Sequence, residues 1–184
     1  SEHLQSGITA RQDSSCNHCH GGEEGAVSHS YSTSKHGIIA RLETAEYDWS
    51  KHLTPESYRA PGCAFCHFSK GHDASKLVAK EKPPTEAQES REQMRWLCQQ
   101  CHAPRYIREL ESNGRKMLEI GEMKLREALA VVELARSEFP ADQLNKIEAL
   151  YHSMESETMM ALRVGIAHQS PDYQWWHGHP ALDG

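Results

Sequence analysis

The sequence of 184 residues carries 20 Lys and Arg against 26 Asp and Glu, and its formal charge of −6 argues against nucleic acid as a partner. No stretch approaches the roughly 18 apolar residues of a membrane span. Only 38% of residues are hydrophobic and 7% aromatic, thin for a chain that must fill its own core, so something besides side chains is expected to supply apolar volume.

Residues 1 to about 85 are rich in Gly, Ser, His and Pro and lack sustained periodicity, which predicts loops and short helices. The opening Ser1, Glu2, His3, Leu4 has neither a basic start nor an apolar run, so it reads as a mature form without its leader, or as a fragment. Lys82, Pro83, Pro84 and Thr85 mark a break, and a helix is predicted from Pro84 or Thr85 to Cys101. From Arg105 to Glu138, Ile107, Leu110, Met117, Ile120, Met123, Leu125, Leu129, Val132 and Leu134 recur at spacings of three and four among charges, the pattern of a long amphipathic helix. Phe139-Pro140-Ala141-Asp142 is a turn signal with Asp142 as the expected cap. A second helix then follows through Ile147, Leu150, Met154, Met159, Leu162 and Ile166. The methionines of this stripe read as core. No strand-like alternation is present. The expected fold is all-α: a loop-rich region over 1–103 that binds cofactors, then a long antiparallel helical hairpin and tail over 104–184, packed as one compact unit.

All six cysteines fall in pairs, and each pair is followed at once by histidine: Cys16, Cys19, His20; Cys63, Cys66, His67; Cys98, Cys101, His102. Two intervening residues let one helical turn present both sulfurs to one porphyrin edge, and the next residue aims its imidazole at the iron. Cys-x-x-Cys-His is the attachment signature of c-type haem. Paired cysteines also build structural zinc sites, and a lone Cys-x-x-Cys can be a redox dithiol. With His at 13 of 184 positions, three such histidines by coincidence have a chance of roughly one in a few thousand. Three haem c groups are therefore expected. A multihaem cytochrome c is exported for haem attachment, which points to the periplasm or the cell exterior.

Ten further histidines remain: His3, His18, His29, His36, His52, His72, His152, His168, His177 and His179. A second axial imidazole keeps an iron six-coordinate in both oxidation states and suits electron transfer. His18, inside the first motif, reads as a surface residue. His177 and His179, in an aromatic tail, read equally as ligands or as structural residues.

The motif spacing and flanks resemble the C-terminal part of hydroxylamine oxidoreductase-like multihaem cytochromes, and more distantly the pentahaem cytochrome c nitrite reductases. The resemblance lies in Ser34-Lys35-His36-Gly37, in Tyr58 to His67 with Gly71-His72, and in Gly165 to Gly178. It implies that His36 is the distal ligand of the haem on Cys98 and Cys101, and His168 that of the haem on Cys63 and Cys66. The counterpart of His72 serves a haem upstream of this sequence, so His72 could be free, serve the first haem or act in another subunit; the first haem's own family ligand also lies upstream, which leaves His3, His29 and His72 as the candidates for the iron at His20. In the hydroxylamine-oxidising relatives a C-terminal tyrosine crosslinks to the catalytic haem of a neighbour. Tyr173 lies in an analogous region, but packing beside Trp175 and Trp176 is the expectation here.

The catalytic haem of these relatives has no counterpart in the sequence, so the resemblance favours their electron path over their nitrogen chemistry, with no catalytic residue assigned. The expected function is electron transfer between redox partner proteins. Two alternatives stay open: an enzyme whose first haem is open to nitrite, hydroxylamine or a similar small nitrogen compound, and a subunit of a larger multihaem complex, a homo-oligomer or a filament with contacts in trans.

Overall fold

The computed structural model describes residues 8–22, 24–51, 54–68 and 84–183, and every regular element among them is helical. In chain order these are a 3-10 turn at Thr9–Arg11, α1 (Asp13–Asn17), α2 (Ala26–Ser32), α3 (Lys35–Glu43), α4 (Cys63–His67), α5 (Pro84–Gln99) and α6 (Pro104–Glu138). They continue with α7 (Ala141–Ser153), a π turn at Met154–Thr158, α8 (Met159–His168), α9 (Pro171–Trp175) and a second 3-10 turn at Pro180–Leu182. The chain is all-α. Pro84 opens α5, where its missing N–H costs nothing, and α6 runs 35 residues, about 50 Å.

Two compact units divide the chain. The first comprises Ser1–His20 and His36–Glu111. Its short helices are held by specific contacts more than by apolar bulk: the Arg11 guanidinium donates to the carbonyls of Trp49 at 3.0 Å and Lys51 at 2.6 Å. Tyr58 is buried, with the rings of Tyr47, Trp49 and Phe65 around it at centroid distances of 5.0, 6.2 and 6.1 Å. Arg95 of α5 sets its Nε against both carboxylate oxygens of Glu111, at 2.8 and 2.9 Å.

The second unit comprises Gly21–Lys35 and Ser112–Gly184. Its core is Met159, Leu162 and Leu182, with Leu118, Leu125, Met154 and Ile166 packed against them. A Cβ on Gly121 would fall 2.6 Å from Leu162 Cδ2, so glycine lets α6 approach α8 closely there. Nearer the turn, Arg136 Nε donates to Glu148 Oε1 at 2.9 Å. Residue 121 opposite 162 and 136 opposite 148 define an antiparallel hairpin.

The hairpin differs from expectation in three details. The cap position of α7 belongs to Pro140, and Asp142 sits inside the helix. Leu150 is 73% exposed and lies off the core face. The second arm is also not a plain α-helix: Met154 and Met159 stand five residues apart, which would put them on different faces of an α-helix. The π turn between them, with its i to i+5 repeat, returns both to the core. Met159 and Met154 thus serve as core, as expected.

Leu162 is fully buried. Leu162→Ala is expected to lower unfolding free energy by about 3 kcal/mol through lost burial and the cavity left behind. The measurement is the denaturant midpoint of the haem-loaded protein, which should fall at unchanged slope.

Candidate haem-binding site

In the first unit each Cys-x-x-Cys-His run forms one helical turn. The His20 amide donates to the Cys16 carbonyl at 3.1 Å and the His102 amide to the Cys98 carbonyl at 2.9 Å, while Cys63 to His67 is the whole of α4. These i to i+4 bonds hold both cysteines and the histidine of a run within one helical turn.

Asp13, the first residue of α1, accepts the Cys63 amide N–H at Oδ1, at 2.8 Å. One carboxylate on the helix of the first motif thus caps the helix of the second, taking an otherwise orphaned N–H. Beside it the Gly62 amide donates to the Tyr58 hydroxyl. A Cβ at Gly62 would lie 2.5 Å from Asp13 Oδ1 and 2.6 Å from the Tyr58 oxygen, so only glycine fits. Phe65, one of the two residues between the cysteines of this motif, joins the aromatic cluster on Tyr58.

The motifs are electrostatic neighbours. Burial pushes the Cys66 thiol up to about 11, with Cys98 and Asp13 adding to the effect. Burial raises Cys63 and Cys16 too, each with a contribution from Asp13. The shifts at Cys16, Cys63 and Cys66 run opposite to the depressed pKa of a reactive thiol. Burial lowers His67, with the His20 charge adding to it, and lowers His36, with the His102 charge adding to it. Neutral imidazole is the form that ligates a metal.

His36 and His102 face each other with ring centroids 5.8 Å apart and planes tilted by 36°. An iron held between two imidazoles separates their centroids by roughly 6 Å, two metal–nitrogen bonds of about 2 Å plus a ring radius on each side. The donor set and its spacing therefore fit a haem iron at this pair.

In the second unit His168 ends α8. Its Nδ1 lies 2.7 Å from the hydroxyl of Ser30 on α2, and the Tyr31 ring meets it edge-on with centroids 6.0 Å apart. His29 Nδ1 is 3.2 Å from the hydroxyl of buried Tyr173. The ring stacked on Tyr173 is His177, at 4.7 Å. Trp175 and Trp176, expected beside Tyr173, are exposed. His18 is exposed and bonds the Ser14 carbonyl, as its place inside the motif suggested. His179 is buried, and Lys124 donates to its backbone carbonyl at 3.1 Å. His3 and His72 lie outside the described residues. Sequence reasoning did not single out Asp13 or Ser30. Asp13 carried a faint signal as an acid at a helix start, whereas Ser30 carried none.

Residues 1–139 match the family described as "Seven times multi-haem cytochrome CxxCH". The chain belongs to this multihaem cytochrome family. It is also 33% identical, over 86 residues, to a probable nitrite reductase-hydroxylamine oxidoreductase fusion protein of Kuenenia stuttgartiensis, a match covering 45% of this chain and 10% of that protein. Among solved structures, a chain of a Kuenenia stuttgartiensis reducing HAO-like protein complex superposes with a TM-score of 0.57 at 19% identity, over 97% of this chain and 54% of the other. The multihaem cytochrome chain thus spans about a tenth of the one relative and about half of the other. The family implies c-type haem on these motifs. No helix among the described residues is long and apolar enough to cross a membrane.

Asp13→Ala is expected to cost about 1 kcal/mol, the value of a lost helix cap. Thermal unfolding of the loaded protein measures it, and Asp13→Asn, which keeps an acceptor oxygen, should recover most of the loss.

Proposed function

We propose that the chain is an electron-transfer cytochrome carrying three c-type haems, one on each cysteine pair, with His20, His67 and His102 as proximal ligands and a second histidine on most of the irons. The observation that carries this reading is the pair His36 and His102 at 5.8 Å, which supports His36 as the distal ligand of the haem on Cys98 and Cys101. Family resemblance and the hydrogen bond that orients its ring support His168 as a second distal ligand. Iron held by two imidazoles keeps its coordination when an electron arrives or leaves, so little rearranges and transfer is fast.

The chain acts outside the cytoplasm, where haem is attached to cysteine pairs. The likeness to a chain of a reducing HAO-like protein complex supports a role as the electron-passing portion of a larger multihaem assembly. Its redox partners are then other haem proteins or other portions of that assembly.

Two measurements test this. The intact mass of the denatured protein is expected to exceed the polypeptide by three haems, and a mass short of that would overturn the count. His36→Ala is expected to convert one haem of the set from low to high spin in the ferric absorption and EPR spectra. A wholly low-spin spectrum would remove His36 from the ligand set.

A further inference from the structure

Ser30 is fully buried on α2, in a unit where most charged and polar side chains reach solvent. Its hydroxyl lies 2.9 Å from the Val27 carbonyl and 2.7 Å from His168 Nδ1. A hydroxyl has one proton to give. Directed to the Val27 carbonyl, which can only accept, it leaves an oxygen lone pair for His168, and Nδ1 must then be the protonated nitrogen. The tautomer with N–H at Nδ1 carries its ring lone pair on Nε2, the nitrogen through which such an imidazole binds a metal.

The surroundings fix the ring as well as the proton. Helix α8 stops immediately after His168: Gln169 adopts the left-handed conformation at φ 54°, ψ 38°, and the Ser170 amide donates back to the Gly165 carbonyl at 2.9 Å. Thr33, one turn beyond Ser30, bonds Ser170 through the two hydroxyls at 2.9 Å. The end of α8 is therefore pinned to the α2 segment at His168 and again two residues beyond it, with Tyr31 edge-on to the imidazole.

We propose that Ser30 is the positioning residue for His168, setting its tautomer, its rotation and its electron donation to the iron it ligates. This rests on His168 being an axial ligand. An acceptor on Nδ1–H makes the imidazole a better donor, which stabilises ferric over ferrous iron and lowers the potential of that haem. A neutral hydroxyl does so moderately, without the imidazolate character a carboxylate would impose.

The experiment compares the fully loaded protein with His168→Ala, Ser30→Ala and Ser30→Thr, using ferric EPR and a spectroelectrochemical titration. His168→Ala is expected to turn one low-spin haem high spin. If it does not, the ligand reading fails and the role of Ser30 fails with it. Ser30→Ala is expected to shift the potential of one haem upward and change the g-values of one low-spin signal, the other haems being unmoved. Ser30→Thr, which keeps the hydroxyl, is expected to retain the wild-type potential and g-values. If His168→Ala does lose a low-spin haem while Ser30→Ala leaves every potential and g-value unchanged, the ligand stands and the positioning role is overturned. A Thr variant that behaves like the Ala variant overturns it as well, because a role for bulk alone does not distinguish the hydroxyl. Should Ser30→Ala fail to fold, the Thr variant decides alone: wild-type values support the role and shifted values refute it.

Discussion

The first unit depends on one constraint, the helical turn that spans cysteine, cysteine and histidine. Each turn is closed by an amide of the histidine returning to the carbonyl of the first cysteine, or by membership of α4, and that bond puts three side chains on one side of the backbone. A turn this short is not stable by itself, since helix nucleation is unfavourable and five residues gain little from propagation. Each turn must therefore be held from outside. Asp13 holds the second from the helix that carries the first, and the bidentate contact of Arg95 with Glu111 joins the helix carrying the third to the start of α6. The raised thiols and lowered histidines follow from the same gathering, because the turns place ionisable groups together in partly desolvated surroundings.

On the proposed reading, the second unit holds a single imidazole, that of His168, in a defined orientation. Its core is small, and its ion pairs, Arg136 with Glu133 and Glu148 among them, are solvent-accessible and worth little individually. Precision comes from geometry instead. The π turn keeps both methionines on the core face, glycine lets α6 close on Leu162, and the left-handed Gln169 ends α8 at His168. Serine and threonine along α2 are short enough to let it lie against the end of α8 while still supplying hydrogen bonds.

Legibility in the sequence followed the range of the interaction. Helices α5 and α6 were readable to within a residue or two at most ends, because proline breaks and 3.6-residue periodicity are local signals. The haem attachment residues were readable because the chemistry fixes their spacing. The π turn stood in plain view as the one five-residue gap in the apolar stripe, yet it was absorbed into an ordinary helix because gaps of three and four surrounded it. Asp142 looked like a cap by residue type, but Pro140 takes that place through its extended backbone. Leu150 had the right period and the wrong side of a stripe whose register shifts at the π turn. Asp13 and Ser30 act across 50 and 138 positions, and no periodicity or motif encodes a partner at that distance.

On the proposed reading, His36 and His168 are two distal ligands under two kinds of control. His36 is shifted toward its neutral form by burial and by the nearby charge of His102, effects that bear on protonation rather than on ring rotation. His168 is governed by a directional bond that its Nδ1–H donates to Ser30, which sets proton position and ring rotation together. A field acts on an imidazole in any orientation, whereas a hydrogen bond selects one. Haems with the same axial ligands still take different potentials, because hydrogen bonding, burial and nearby charge act on each iron separately. On the proposed reading, the different surroundings of His36 and His168 are therefore one source of different potentials among haems of one ligand type.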